Sequence, residues 1–190
     1  MWIWAWAGLD NWHMRPPATL FLIVGLPGAG KTTRARDIEK THRALRFSPD
    51  EWMIPLFGES EANGKRDSLE GLLINAALCA LAVGTNVILD FGLWGRDERS
   101  ALRSLGASGG ANVEVVYLPV EEATQRQRVQ ERFQVCPGQT FPVTVADLAQ
   151  WRAQFEEPTA QELAGGSVPD SPADASSWAE WARLRWPTLR

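Results

Sequence analysis

The chain has 190 residues, 45% of them hydrophobic and 22% charged, enough for one domain with a full core and too apolar for wholesale disorder. Nineteen basic residues against 23 acidic ones give a net charge of −4 and a pI near 5.3, which argues against a general binder of nucleic acid or anionic membrane. Two cysteines (Cys79, Cys136) and two histidines (His13, His42) argue against a disulfide framework, a Cys-based zinc site and a His-dependent triad, and fit a reducing, cytoplasmic setting.

Residues 1–17 carry four of the ten tryptophans and lack the pattern of a secretory signal, so they read as a Trp-rich extension. Met14 stands directly before the first strand-like run, which leaves the start open between Met1 and Met14. Thr19–Val24 is a continuous apolar run ended by glycine, as expected of a strand buried on both faces. A Gly-rich loop and a helix from Lys31 to about Thr41 follow, then a weak strand at Arg46–Ser48. Leu69, Leu72, Leu73, Ala76, Ala77 and Ala80 recur at helical spacing. Asn86–Asp90 reads as a buried strand with an acid at its carboxyl end. Gly84-Thr85-Asn86 divides the apolar span 72–89 into two elements, against a membrane helix.

A helix over Arg96–Leu105, a fourth strand over Val113–Leu118, a largely polar helix over Val120–Phe133 and a helix over Thr144–Phe155 come next. Thr144 caps the last of these, with Asp147 three residues on. No fifth strand is legible after Phe133. Residues 165–177 have the composition of a flexible linker, and 178–190 form a Trp-rich tail whose Trp178, Trp181 and Trp186 suit a short docking helix. Strand and helix alternate through residues 18–164. The expected fold is α/β, a three-layer domain around a central parallel sheet.

Gly25-Leu26-Pro27-Gly28-Ala29-Gly30-Lys31-Thr32 matches G-x-x-x-x-G-K-[ST] in full, between a buried strand and a helix. The glycines let the loop wind so that its N–H groups converge on one phosphate, and the helix start adds its positive dipole end. Only three of the nineteen basic residues are lysines, so a lysine at this position stands out. Gly25, Pro27, Gly28, Ala29, Gly30, Lys31, Thr32 and Thr33 are therefore the expected ATP contacts. Lys31 reaches the β- and γ-phosphates, and the Thr32 hydroxyl ligates Mg²⁺.

The chain has no N-K-x-D for guanine, and Asp90 is followed by Phe91, not by a water-activating glutamate. These absences favour a small kinase with an alcohol as acceptor. A kinase needs a carboxylate near the acceptor hydroxyl, and strand carboxyl ends converge on the ligand crevice. Asp50 is preferred for that role over Glu51; the alternative is that Asp50 caps a helix starting at Glu51. Asp90 is expected to assist Mg²⁺, against an ordinary turn acid. Arg128 and Arg132 share a helix face and would serve as lid arginines over the transferring phosphoryl, against a solvated surface helix. Trp52, Arg66, Trp94 and Arg96, with Arg99, are weaker candidates for the acceptor pocket.

With the phosphate loop, Ser48-Pro49-Asp50-Glu51-Trp52-Met53, Asp90-Phe91-Gly92-Leu93-Trp94 and the paired lid arginines, the chain resembles bacterial AAA-type ATP-binding families grouped with zeta-toxin-like and chloramphenicol-phosphotransferase-like kinases. The resemblance spans about Thr19 to Leu163. It takes in Phe141, Trp151, Phe155-Glu156-Glu157-Pro158-Thr159 and Glu162-Leu163, similar to the end of such domains. It implies a nucleoside-kinase-like P-loop fold, ATP and Mg²⁺, Asp50 as the acceptor-activating carboxylate, and a lid arginine on the phosphates. Relatives of this sort phosphorylate antibiotics, nucleosides, nucleotide sugars or RNA ends. Two rivals remain: a nucleotide-dependent switch docking a protein through its tryptophans, and a nucleic-acid end kinase.

Overall fold

The computed structural model describes residues 16–59, 62–135 and 143–190. Their elements run β1 (Thr19–Val24), α1 (Lys31–His42), β2 (Leu45–Phe47), α2 (Pro49–Phe57), α3 (Lys65–Ala82), β3 (Val87–Gly92), α4 (Arg96–Ser108), β4 (Asn112–Tyr117), α5 (Glu122–Val135), α6 (Val145–Gln154), α7 (Ala160–Leu163) and α8 (Trp178–Arg185). The Trp-rich residues 1–15, Cys136 and Phe141 lie outside the described residues.

β1 is apolar from Leu20 to Val24 because both its faces are covered there. Leu20, Leu22 and Val24 pack with Ile74 and Ala77 of α3, Ala101 and Leu102 of α4, and Ala182 of α8. Phe21 and Ile23 point the other way, onto Ala35 and Ile38 of α1. This alternation builds a helix–sheet–helix sandwich on a wholly parallel sheet of order β2-β3-β1-β4. The three-layer P-loop fold expected from the motif order is the one observed. The apolar span 72–89 is divided between α3 and β3, and no described helix is long and apolar enough to cross a membrane.

Some boundaries differ from expectation. β2 begins one residue earlier, and no described residue after Phe133 is in a strand. β3 continues two residues further, so Asp90 lies within the strand and not at its end. Leu89 pairs with Leu22 and Gly92 with Val24, so Asp90 and Phe91 together stand opposite Ile23, a bulge that re-aims the acid.

The C-terminal region packs as part of this sandwich. Trp186 is fully buried, and Trp178, Ala182 and Leu189 join the core that holds β1 and β3. Within 165–177, Ala175 is buried, and the Pro169 carbonyl accepts a 2.7 Å bond from the Trp178 indole. The composition of 165–177 suggested a flexible linker and the tryptophans of 178–190 a short docking helix; that helix docks on α4 and α3 of this chain. An exposed docking surface made of Trp178 and Trp186 is therefore ruled out.

Candidate functional site

The phosphate loop joins β1 to α1. Gly25 takes φ 153°, and a Cβ there would fall 2.8 Å from the Leu118 carbonyl oxygen of the neighbouring strand end. Gly28 takes φ 83°, with Gln125 O 3.2 Å and Val129 Cγ2 3.3 Å from where its Cβ would be, so only glycine lets α5 lie this close over the loop. Ala29 is buried, Pro27 half-buried, and Thr32 and Thr33 are exposed in the first turn of α1. The Lys31 ammonium turns back to donate to the Leu26 carbonyl at 3.1 Å.

Around Lys31 the sheet gathers charge. Burial holds its ammonium below the ordinary lysine range; Asp90, then Asp50, oppose this, while Arg132 and Arg66 push it further down. One amine thus senses two predicted acids and two predicted arginines, drawn from β3, α2, α5 and α3. Asp90 is 3% exposed, and burial raises its carboxyl above the usual range, opposed by Lys31 and by Arg46 3.3 Å away. Gly92 and Leu93, both at positive φ (92° and 45°), turn the chain sharply after β3. That turn sets the Trp94 indole Nε1 3.3 Å from the position a Gly92 Cβ would take, with Lys31 Cε 3.8 Å from the same point.

Asp50 stands in the first turn of α2. Ser48 is the N-cap and Pro49 the first helical residue, so Asp50 is not the cap. Its side chain is 68% exposed, and Oδ1 lies 2.9 Å from Arg66 Nη1. Glu51, the rival acid, is drawn off by Arg46 at 2.5 Å. Trp52 is exposed on the same helix.

The α5 arginines divide. Arg128 Nη1 donates to the Gly28 carbonyl at 3.1 Å, so α5 touches the phosphate loop directly. The charge of Arg132 is felt at Lys31, whereas Arg126 pairs along its own helix with Glu122. Most of α5 is exposed, as its polarity implied; Gln125 alone among its described residues is buried.

Two pocket candidates lie apart from this cluster. Arg96 is exposed at the start of α4, its backbone N–H donating to Glu156 at 2.6 Å. Arg99 is fully buried and cannot grip a substrate: it is held by Glu162 (2.9 Å) and by the carbonyls of Leu93 and Trp94. Two important residues escaped the sequence reading. Arg46 ties Asp90 to Glu51, and Glu70 holds Arg66 at 3.0 Å. Arg46 had one available signal, a long cation in a short strand beside a strand that carries an acid near its carboxyl end.

An open cleft of about 550 Å³ runs from Ala29 and Arg34 past Tyr117, Leu118 and Pro119 along the β4 edge. Because β2 and β4 are opposite edges of the sheet, this cleft and Asp50 flank the phosphate loop on opposite sides.

Three solved structures resemble the chain. Kti12 of Chaetomium thermophilum, in complex with ADP-AlF3, is 20% identical, with a TM-score of 0.60 over 88% of this chain and 95% of that one. A gluconokinase of Sinorhizobium meliloti 1021 is 16% identical, with a TM-score of 0.52 over 91% of each. The Pnkp1/Rnl/Hen1 RNA repair complex contains a chain 21% identical, with a TM-score of 0.56 over 77% of this chain; the match spans 46% of that chain, about half its length. At these identities the likeness shows a kinase-like P-loop fold. No curated protein matches the chain. The phosphate loop, the acids beside it and all of the sheet but Thr19 fall within residues 20–158, which match the AAA domain family, and the chain belongs to that family.

Proposed function

We propose that the protein is a kinase that transfers the γ-phosphoryl group of ATP to a hydroxyl of a small molecule, of antibiotic, nucleoside or nucleotide-sugar type. The observation that carries this reading is the convergence of Asp90, Asp50, Arg132 and Arg66 on Lys31 at the carboxyl ends of the strands. A lysine crowded by two arginines and short of solvent is stabilised when an anion arrives, and a nucleotide phosphate is that anion. The cleft beside Ala29 and Arg34 suits the base end of the nucleotide, which leaves the Asp50 side for the acceptor.

Lys31 and the loop N–H groups hold the phosphates, and Arg128, which donates to the Gly28 carbonyl of the loop, would turn to join them. Mg²⁺ fits the donors present: the exposed Thr32 hydroxyl and the buried Asp90 carboxylate match an ion that takes one or two protein ligands and fills its shell with water and phosphate. When bound it neutralises charge on the phosphate oxygens. Asp50, exposed on one side and tethered by Arg66 on the other, orients the acceptor hydroxyl and takes its proton as the new O–P bond forms and the bond to ADP breaks. Arg132, whose charge is felt at Lys31, would add positive charge near the migrating group.

The test is ATP consumption with Mg²⁺ against aminoglycosides, phenicols, nucleosides, nucleotide sugars and 5′-hydroxyl RNA, with products weighed for one added phosphoryl group. A small-molecule product that disappears with Asp50→Ala supports the reading. ATP binding with no phosphorylated acceptor counts against it and favours the switch.

One observation favours a second reading, a nucleic-acid end kinase: the likeness to a chain of an RNA repair complex. The net charge of −4 opposes it. Phosphorylation of the RNA alone in that panel would make it the better account.

A further inference from the structure

The C-terminal segment is strapped along the first half of α3. The Thr188 hydroxyl donates to the Ser68 carbonyl at 2.5 Å, and Asn75 Nδ2 donates to the Thr188 carbonyl at 2.8 Å. The Arg190 N–H donates back to Asn75 Oδ1 at 3.1 Å. The strap lies so close that a Cβ on Gly71 would fall 2.4 Å from Thr188 Oγ1 and 3.0 Å from the Leu189 nitrogen. That accounts for a glycine in mid-helix, where it otherwise costs about 1 kcal/mol.

Beneath the strap, Trp186 Nε1 donates to Glu70 Oε2 at 3.0 Å, both side chains being buried. The other oxygen, Oε1, accepts from Arg66 Nε at 3.0 Å, and Arg66 Nη1 meets Asp50 Oδ1 at 2.9 Å. Four residues thus run unbroken from the C-terminal core to the proposed acceptor carboxylate.

We infer that Glu70 is a positioning residue: seated by Trp186, it fixes Arg66 and through it the orientation of Asp50 toward the acceptor. The inference rests on the kinase reading for its functional consequence, and on the four-residue chain for its structural one. A buried carboxylate with both oxygens occupied by donors from two elements leaves Arg66 little freedom, and a carboxylate tethered on one oxygen presents the other in a set direction. Glu70 is faced by Arg66 of its own helix, by Arg185 of α8 and Trp186 just after it, and by Glu98 of α4. Burial among them lifts its carboxyl to about 7, against the pull of Arg66, Trp186 and Arg185, so the hold on Arg66 weakens as pH falls through neutrality.

The test has a structural and a functional arm. In ¹H–¹⁵N spectra of the full chain, the Arg66 Nε–H signal, assigned by its loss in Arg66→Lys, is expected to shift with a midpoint near pH 7 and to move in Asp50→Asn. The titration is expected to vanish in Glu70→Gln and to be displaced in Trp186→Phe and Gly71→Ala, which disturb the strap without touching Arg66. An Arg66 signal indifferent to Glu70→Gln and to pH overturns the inference, whether or not an acceptor is known. With whichever panel acceptor gains phosphate, Glu70→Gln is expected to lower kcat roughly tenfold at pH 8, leave KM for ATP unchanged and abolish the acid limb near pH 7. Wild-type kcat with the limb intact in Glu70→Gln overturns it too. If the wild type phosphorylates nothing, the kinase reading fails and the spectra still decide the chain of contacts.

Discussion

Arg66 and Asp50 meet at 2.9 Å across the gap between α3 and α2, and they are unequal partners: the arginine side chain is 17% exposed and the aspartate 68%. The buried end is fixed and the open end is aimed. An exposed ion pair adds little to stability, at most ~1 kcal/mol, so this contact is better explained by direction than by energy.

That asymmetry sets the first prediction. Asp50→Ala is expected to lower phosphoryl transfer by about 10²-fold or more with ATP affinity nearly intact, because the acid follows β2, on the side of the loop proposed for the acceptor. Steady-state kinetics paired with nucleotide titration reads both. Equal turnover in the variant removes Asp50 from the mechanism.

Lys31→Ala is expected to act on the other substrate. Its ammonium stands at the start of α1, its pKa lowered by burial, and a bond from a charged group to phosphate contributes roughly 10–100-fold in affinity. Calorimetric titration with ATP should show that loss, while Lys40→Ala, exposed in the last turn of the same helix, should bind close to wild type.

Much of this arrangement was legible in the sequence, for a physical reason in each case. The loop was readable because glycines, lysine and hydroxyl must stand in fixed order to wrap a phosphate. β1 and β3 were readable because strands buried on both faces carry continuous apolar runs. Asp90 and Asp50 followed from their nearness to strand ends. The bulge at Asp90-Phe91 was not readable, since it depends on register between strands. Arg99 was misjudged because buried and exposed arginines look alike without their partners, and Glu162 lies 63 residues away. Trp186 and Glu70, 116 residues apart, meet only once the chain has folded. The tryptophans of 178–190 pointed to a short docking helix, but nothing local in them shows that it docks on this chain's own α4 and α3.

Arg99 itself gives a stability prediction. It and Glu162 are both buried, and removing one partner strands the other charge, at about 3–5 kcal/mol. Glu162→Ala should therefore lower the unfolding midpoint sharply. Burial raises the Glu162 carboxyl, but the Arg99 hydrogen bond, the Thr159 N–H and the guanidinium charges outweigh it, leaving a depressed value. The stability it contributes is full above the unfolded carboxyl pKa and is lost as pH falls through the folded one. The difference between wild type and Glu162→Gln should accordingly narrow in acid.

Glu70 should bend the same curve the other way. Its carboxyl is raised to about 7 by burial, so between 4.5 and 7 the folded protein binds a proton the unfolded chain has released. Stability then falls as pH rises through that window, by on the order of 3 kcal/mol for a group this deeply buried, and levels off above it. Glu70→Gln removes the titration while keeping the shape and one acceptor oxygen. Urea unfolding at pH 5.5 and pH 8 should show the wild type losing stability between the two relative to the variant. Parallel behaviour of the two proteins would mean that Glu70 stays ionised throughout, held by Arg66 and Arg185 more firmly than its burial opposes. A buried acid that costs stability at neutral pH, on a helix leading straight to Asp50, is what a site selected for the placement of its carboxylate would retain.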